Sequence, residues 1–596
     1  MIVAALSIPK NLRHGIKPNV NGARMDVYIH GADSETLNGA PLSFQFFCPD
    51  LRENTIVFVT PEDALDHFIE WADGLPVRTA HVVYVHNLKH DLPEFFWEAK
   101  AWLLSPAGDF SFTAGDWKIR GVYGAPTFCR MSNRRRNVTV LIVDSHLWFQ
   151  GSLAAAAELF CPNLPKLDKP EGLGSKRFTA RNALFCAYAM RDAEIDYHIG
   201  IQVQKIVTEF DIRQPVSLAN MAALIFKRRY LSYTIPQPST AIIHAALKSY
   251  HGGKNNLVKG AAPRWHRNVS SLDISSAYPY AMRQLPAFSD YALYRNYPLA
   301  KKAREVPPFG VYLVSGSAAE CDWPCLFRHD FSQIQGDFES VWVHGFEVNE
   351  ALRAGELSIK SIRGYFYEAE SDNETPAFRD FVDDFYARKQ SASDPVLRHM
   401  YKIILNALYG KFIQTRKNGR VLYTDIDENP TVVEAGELVA GGLFHPFIAS
   451  SVTAHPRAYI HQIEHAHAAF HTATDGVFTK AREPKRVPFM PRQNRGLGSL
   501  QIEARGDLLL LRNKLYIMYG PDGKLESERI EGARIRKYAK HGFMGTVHDL
   551  ERLALTGSRR YAVTKPNQLR ESLKRALHVS LFARLGQTIG TDNIRR

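Results

Sequence analysis

Between residues 55 and 204 the chain alternates between two kinds of hydrophobic run. TIVFVT (55–60), HVVYVHNL (81–88) and VTVLIVD (138–144) are short and rich in β-branched residues, the pattern of strands. LAAAAELF (153–160) and LFCAYAMRDAEIDYHIGIQVQ (184–204) read as helices. This alternation predicts α/β layering, a sheet with helices packed on it. At 596 residues the chain is too long for one core, so two to four domains are expected. YHGGKNN (250–256), followed by Lys259 and Arg264, marks a junction. Residues 300–375 hold short β-like pieces rich in Pro, Gly and aromatics, and residues 376–412 are strongly helical. KNGRVLYTD, with Asn418–Gly419 as a hairpin turn, opens another β region. The stretch after about 520 is basic and mixed in pattern.

Charge narrows the partners. Lys and Arg number 74 against 61 Asp and Glu, a net +13, which favours a polyanion and nucleic acid first. Of six cysteines the close pair, Cys321 and Cys325 in CDWPC, fits neither CxxC nor a paired zinc pattern. Reduced thiols and an intracellular protein are therefore expected. The N-terminal apolar run is too short for a signal peptide, and no stretch reaches the roughly 20 apolar residues of a membrane span.

A first constellation lies in residues 26–192. DVYIHGADSET puts Asp33 and Glu35 at i and i+2, on one face of a strand, where both can hold a divalent cation. YVHNLKHD ends a strand near His86 and places Asp91 in the loop beyond. Tyr188 and Asp192 stand at i and i+4 on a helix, so phenol and carboxylate share a face. Four carboxylates converging on two metals about 3.5–4 Å apart are what phosphodiester hydrolysis uses. These segments resemble the three exonuclease motifs of proofreading DNA polymerases. The resemblance implies Asp33, Glu35, Asp91 and Asp192 as metal ligands and Tyr188 as the residue orienting the water. It also implies Thr36, Asn87 and Leu88 as contacts to a single-stranded 3′ end. HNLKxD resembles the protein-primed branch more than the cellular replicases. Asp144-Ser145 resembles another single-strand-binding segment of that branch, and His90 stands where the family often has Phe.

A second constellation spans residues 250–516. SLDISSAYPYAM carries Asp273 at a predicted strand end, followed by Tyr278-Pro279. In LRHMYKIILNALYGKF, Arg398, Lys402 and Asn406 recur every four residues on one helical face, with Tyr409-Gly410 following. Cations one turn apart suit triphosphate oxygens, and the glycine permits close approach of a base pair. FHTATDGVFT predicts a β-hairpin with Asp475 at its tip. These pieces resemble motifs A, B and C of a polymerase palm and fingers. The resemblance implies Asp273 and Asp475 as ligands of two catalytic metals, and Tyr278 as the ring that excludes a 2′-hydroxyl. Arg398, Lys402, Asn406 and Tyr409 are implied to bind the nucleotide. Three positions depart from the motifs: Ala407 replaces a Ser, Ala473 replaces the first Asp of motif C, and Gly476 replaces its Ser. Lys514-Leu515-Tyr516 resembles the KxY motif that grips the primer. Tyr250, Gly252 and Gly253 resemble the YxGG motif between exonuclease and polymerase domains.

The whole resembles the protein-primed family B DNA polymerases, over about residues 25–520. The implied fold is an RNase H-like exonuclease domain (1–220) joined to a right-hand polymerase domain (221–596). Within the latter the palm covers about 221–295 and 446–520, the fingers 376–416 and the thumb 521–596. Insertions fall at 296–375 and 417–445, on position alone. The implied cofactor is Mg²⁺, with Mn²⁺ as a substitute. The implied partners are template-primer DNA, dNTPs and a terminal protein, for a monomer in a prokaryotic host or an organelle. Ala473 motivates the alternative of an exonuclease or DNA-binding protein with a decayed polymerase site. HQIEH (His461, Glu464, His465) matches the HxxEH zinc-peptidase pattern, with His467 and His471 nearby. The expected reading there is a polar helix face with partly exposed histidines.

Overall fold

The computed structural model describes residues 15–19, 27–103, 109–124, 126–149, 151–170, 182–262, 264–289, 292–330, 332–369, 376–417, 438–492, 496–513, 515–519, 560–564 and 586–590. The N-terminal part is built on an eight-stranded mixed sheet. Its centre is three parallel strands, Val27–Leu37, Ala80–Val85 and Val138–Asp144, flanked by antiparallel strands on both sides. Ala80–Val85 lies mid-sheet and is buried nearly throughout, as the apolar run after His81 requires.

The long helix Ala183–Glu209 crosses this sheet, capped by Asn182, whose side chain accepts the Leu184 amide at 2.8 Å. Gly31 allows the crossing. A Cβ there would lie 1.8 Å from the Ala193 carbonyl oxygen and 2.4 Å from the Tyr197 amide. Backbone thus rides on backbone, and Tyr188 and Asp192 are brought down onto the strand that bears Asp33 and Glu35. Gly31→Ala has to push the helix off the sheet, at a cost of about 1–3 kcal/mol or more. The expected outcome is a lower Tm than wild type, which thermal melts of the two proteins check.

The second sheet has six strands, all antiparallel, in the order Lys254–Leu257, His471–Thr474, Gly476–Thr479, Arg264–Ile274, Leu500–Arg512, Leu515–Tyr519. A third sheet of four antiparallel strands, between Ala292 and Ala369, fills the β-like stretch with its own core and carries the helix Gly345–Arg353. The helical stretch becomes Ala377–Ser391 and Pro395–Ala407. Both pack through Phe378, Phe381, Phe385, Met400 and Ile404 into a core shared with the N-terminal long helix. Thr415–Lys417 pairs with Leu438–Ala440, while Asn418–Gly419 lies outside the described residues. Beyond Tyr519 the described residues are the paired strands Arg560–Thr564 and Gly586–Gly590. No helix among the described residues is long and apolar enough to cross a membrane.

The helix Pro446–His467 corrects one expectation. It carries no exposed histidine face: His461 and His467 are buried, as is His471 on the next strand, and only His465 is exposed. The helix Gly345–Arg353 packs along Pro446–His467 and covers that face. Periodicity within one helix carries no sign of a partner more than 90 residues away in sequence.

Candidate active sites: two carboxylate clusters

Asp33, Glu35 and Asp192 offer carboxylate oxygens that all lie within 4.8 Å of one another. The strand's two-residue period supplies the first two, and the helix supplies Asp192 together with Tyr188, whose hydroxyl donates to Glu35. Asp91 stands beside Asp33 but outside that triad. Its Oδ1 accepts from the Ser34 amide (3.1 Å) and hydroxyl (2.7 Å). A fifth acid, Asp196, was not anticipated. It is fully buried and accepts from Ser145 Oγ (2.6 Å) and the His86 amide (2.8 Å). Its signal was available, since Tyr188, Asp192 and Asp196 repeat every four residues.

Two expected strand contacts turn inward. Asp144 accepts the amides of Asn87 (2.9 Å) and His146 (3.0 Å), and Ser145 is fully buried, so this segment braces the 86–91 loop. Leu88 is 0% exposed and packs in the core of the N-terminal sheet. Asn87 is exposed, with a left-handed φ of 62°, and Thr36 is half-buried. Lys166, unremarked in the sequence, pairs with Asp192 and lies 5.2 Å from the Tyr188 ring centre.

The electrostatics fit a divalent cation. Burial, followed by repulsion from Asp91, Asp192, Glu35 and Asp196, holds Asp33 well above the usual carboxylate range. Burial and then Asp192 push Glu35 up to about 7, against Lys169 and Lys166. Burial also lifts Asp91 to about 7, partly offset by Ser34. Asp192 is raised by burial in spite of Lys166, and its buried Oδ1 has no hydrogen-bond partner among the described residues. Crowded, undercompensated oxygens are the donor set of a hard cation. A carboxyl raised in the folded state holds its proton there while the unfolded chain has lost it. Metal-free protein therefore loses stability as pH rises from about 4.5 to about 7. Melts in EDTA should fall by several degrees across that window, and Mg²⁺ or Mn²⁺ at pH 8 should restore them.

The second cluster is set by the six-stranded sheet. Asp273 lies one residue from the end of Arg264–Ile274 and pairs with Gly476 on one side and Gln501 on the other. Asp475 lies in the tight turn joining His471–Thr474 to Gly476–Thr479, and its carbonyl accepts the Ile274 amide at 2.9 Å. The two aspartates are thus backbone neighbours across adjacent strands. A Cβ at Gly476 would stand 3.1 Å from Asp273 Oδ1, so glycine leaves that oxygen uncrowded. Thr474, β-branched, takes φ 71°, a conformation that costs of order 1–3 kcal/mol and is held by its surroundings. One of those surroundings is Gly253, whose Cβ would meet Thr474 Cγ2 at 2.4 Å and the Tyr278 hydroxyl at 2.8 Å.

The YHGG loop is in turn fixed by a buried pair that sequence reading missed. Arg457 donates to the His251 (2.6 Å) and Gly252 (3.0 Å) carbonyls, and Glu347 grips its guanidinium at 2.8 and 2.9 Å. Tyr278 stacks on Tyr409, with ring centres 4.3 Å apart and planes 8° apart. Tyr250 lies partly buried against the same core. Arg398 and Lys402 are exposed on one face of Pro395–Ala407, and the Asn406 amide donates to the Lys402 carbonyl at 2.8 Å. Ala473 is half-buried opposite Asn255. Tyr516 packs edge-on to Phe478 at 4.7 Å, while Lys514 lies outside the described residues.

Comparison with known proteins agrees with this geometry. Residues 184–441 match the family model of DNA polymerase type B, organellar and viral. A probable DNA polymerase of Neurospora intermedia is 25% identical over 264 residues, 41% of this chain and 26% of that one. The DNA-directed DNA polymerase of Enterobacteria phage PRD1 is 29% identical over 279 residues, 43% and 47% of the respective chains. The chain thus spans from about a quarter to about half of the curated relatives it matches. Over these stretches it is similar to type B DNA polymerases of organellar and viral kind. Its fold is that of Phi29 DNA polymerase. The ternary complex of that protein with primer-template DNA and incoming nucleotide superposes with a TM-score of 0.60, at 16% identity, over 91% of this chain and 98% of the other. The single-stranded DNA complex gives 0.59 over 87% and 95%. The family resemblance and the mixed α/β multidomain fold expected from the motifs are borne out.

Proposed function

We propose that the chain is a DNA-directed DNA polymerase with a 3′→5′ proofreading exonuclease, initiating on a terminal protein or a DNA primer. One observation carries the reading: Asp273, on its strand, and Asp475, in the adjoining turn, are backbone neighbours, and near them Tyr278 of motif A stacks on Tyr409 of motif B. Two Mg²⁺ ions, with Mn²⁺ as substitute, would when bound supply Lewis-acid activation of the primer 3′-hydroxyl and charge neutralisation on the triphosphate. Asp273 and Asp475 hold them. Arg398 and Lys402 bind the β- and γ-phosphates from the exposed face of their helix, and Asn406 and Tyr409 line the nucleotide's path. Tyr278, its ring fixed by stacking, excludes a 2′-hydroxyl. Tyr250, Gly252 and Gly253 guide the template, and Lys514 and Tyr516 grip the primer. In the N-terminal cluster Asp33, Glu35, Asp91 and Asp192 hold the hydrolytic metals, Tyr188 orients the water, and Thr36 and Asn87 hold the frayed strand.

The domain limits follow the motifs: exonuclease 1–220, polymerase 221–596. The sheet between Ala292 and Ala369 serves as the first insertion and contacts DNA or terminal protein. The enzyme is a monomer replicating a linear element inside its host. The test is a labelled primer on a longer template with Mg²⁺. Extension with dNTPs and degradation without them support the reading; degradation alone would return the chain to a nuclease on a polymerase scaffold.

A further inference from the structure

The HQIEH segment divides its polar side chains between two directions. Glu464 accepts from Lys254 Nζ and Thr472 Oγ1, each at 2.5 Å, in a fully buried pair. His461 and His465, one helical turn apart, turn instead toward Glu356, which lies between the helix Gly345–Arg353 and the strand Leu357–Ala369. His461 Nε2 is 3.2 and 3.1 Å from the two Glu356 oxygens. His465 Nε2 is 2.8 Å from Glu356 Oε1, and the two Nε2 atoms are 3.1 Å apart.

The three ligand atoms of this triangle all lie within 4.8 Å of one another. His461 Nδ1 is 2.8 Å from Glu350 Oε1 and must donate to it, because an ionised carboxylate only accepts. With Glu356 ionised, a His461 Nε2 without a proton sets its lone pair against that carboxylate. A His465 Nε2 without a proton does the same. With both protonated, the two N–H groups share the Glu356 carboxylate, their nitrogens 3.1 Å apart. The same three groups without those protons turn three lone pairs toward one point, where a cation can sit. Ligands at 2.0–2.1 Å in tetrahedral directions stand roughly 3.3 Å apart, close to the spacing seen.

The surroundings are those of a metal site. Glu350 fixes the remote nitrogen of His461 and is itself held by Arg353 (2.6 and 2.8 Å) and Gln462 (2.7 Å), which is how outer carboxylates orient metal-binding imidazoles. The side chain of His461 is 0% exposed, Glu356 10% and His465 36%, so the triangle is buried on one side and open at the other. Two imidazoles and one carboxylate match zinc rather than magnesium, which prefers oxygen throughout. Glu464 is committed to Lys254, so the peptidase chemistry that HxxEH supports elsewhere has no free base here.

We propose that His461, His465 and Glu356 bind one zinc ion, which staples the third sheet to the helix Pro446–His467. The site shares no residue with either carboxylate cluster. The test uses the full chain, stripped with chelator and equilibrated with micromolar zinc in millimolar magnesium, with bound metal counted by mass spectrometry. Wild type and Asp33→Ala should each retain one zinc, and His465→Ala and Glu356→Gln should lose it. Zinc should raise the Tm of wild type but not of those two variants, and cobalt should give visible nitrogen-ligand absorption that His465→Ala abolishes. Should the variants misfold, diethyl pyrocarbonate reports on wild type, where zinc should shield the exposed His465 from acylation. Folded wild type that takes up no zinc, zinc uptake unchanged in His465→Ala, or His465 acylated equally with and without zinc would each overturn the proposal.

Discussion

Asp475→Ala should lose primer extension by about 10³-fold or more while degrading a primer as well as wild type does. The size follows from what the hairpin lacks. Ala473 puts a methyl group where motif C usually carries its first carboxylate, and its strand neighbour Asn255 is uncharged. In the proposed site metal binding then rests on Asp273 and Asp475, with no third acid in the hairpin to compensate. The backbone bond from Ile274 to the Asp475 carbonyl survives the change, so the sheet should hold and the loss should fall on kcat. Ala473→Asp is the informative companion. If Ala473 is neutral, restoring the acid changes extension by less than about tenfold. If extension is absent in wild type and appears in Ala473→Asp, the site is a decayed one.

Local period made the clustering of the carboxylates legible. Asp33 and Glu35 could be paired because a strand repeats every two residues, and Tyr188 and Asp192 because a helix brings i and i+4 together. Asp273 and Asp475 were recognisable because each ends or turns a strand. Partners distant in the chain stayed hidden. Arg457 meets Glu347 across 110 residues, and His461 meets Glu356 across 105. Each alone reads as a solvated polar residue. The burial of Leu88 stayed hidden for the same reason. Its loop position hints at exposure, and only the packed core shows the side chain pointing in. Gly31 carries no local turn signal, because its purpose is a close crossing by a helix more than 150 residues later.

Asp33→Ala should reverse the pattern, losing primer degradation by about 10³-fold or more and keeping extension. Asp33 is the acid on which the cluster converges. Burial raises it first, and then Asp91, Asp192, Glu35 and Asp196 all add repulsion. Removing it takes away a proposed metal ligand and the charge that the others oppose, so a second readout should move in the opposite direction. Metal-free Asp33→Ala should melt higher than metal-free wild type at pH 8, and its decline in stability between about pH 4.5 and 7 should flatten. A residue that merely supported the fold would lower the Tm instead. Asp91→Asn should cost less activity, since Ser34 already holds that carboxyl from two sides. If Asp33→Ala kept its nuclease activity, or lost extension together with degradation, the N-terminal cluster would not be an independent hydrolytic site. Equal loss of both activities would point to Asp33 as a structural acid whose removal unsettles the junction between the two sheets.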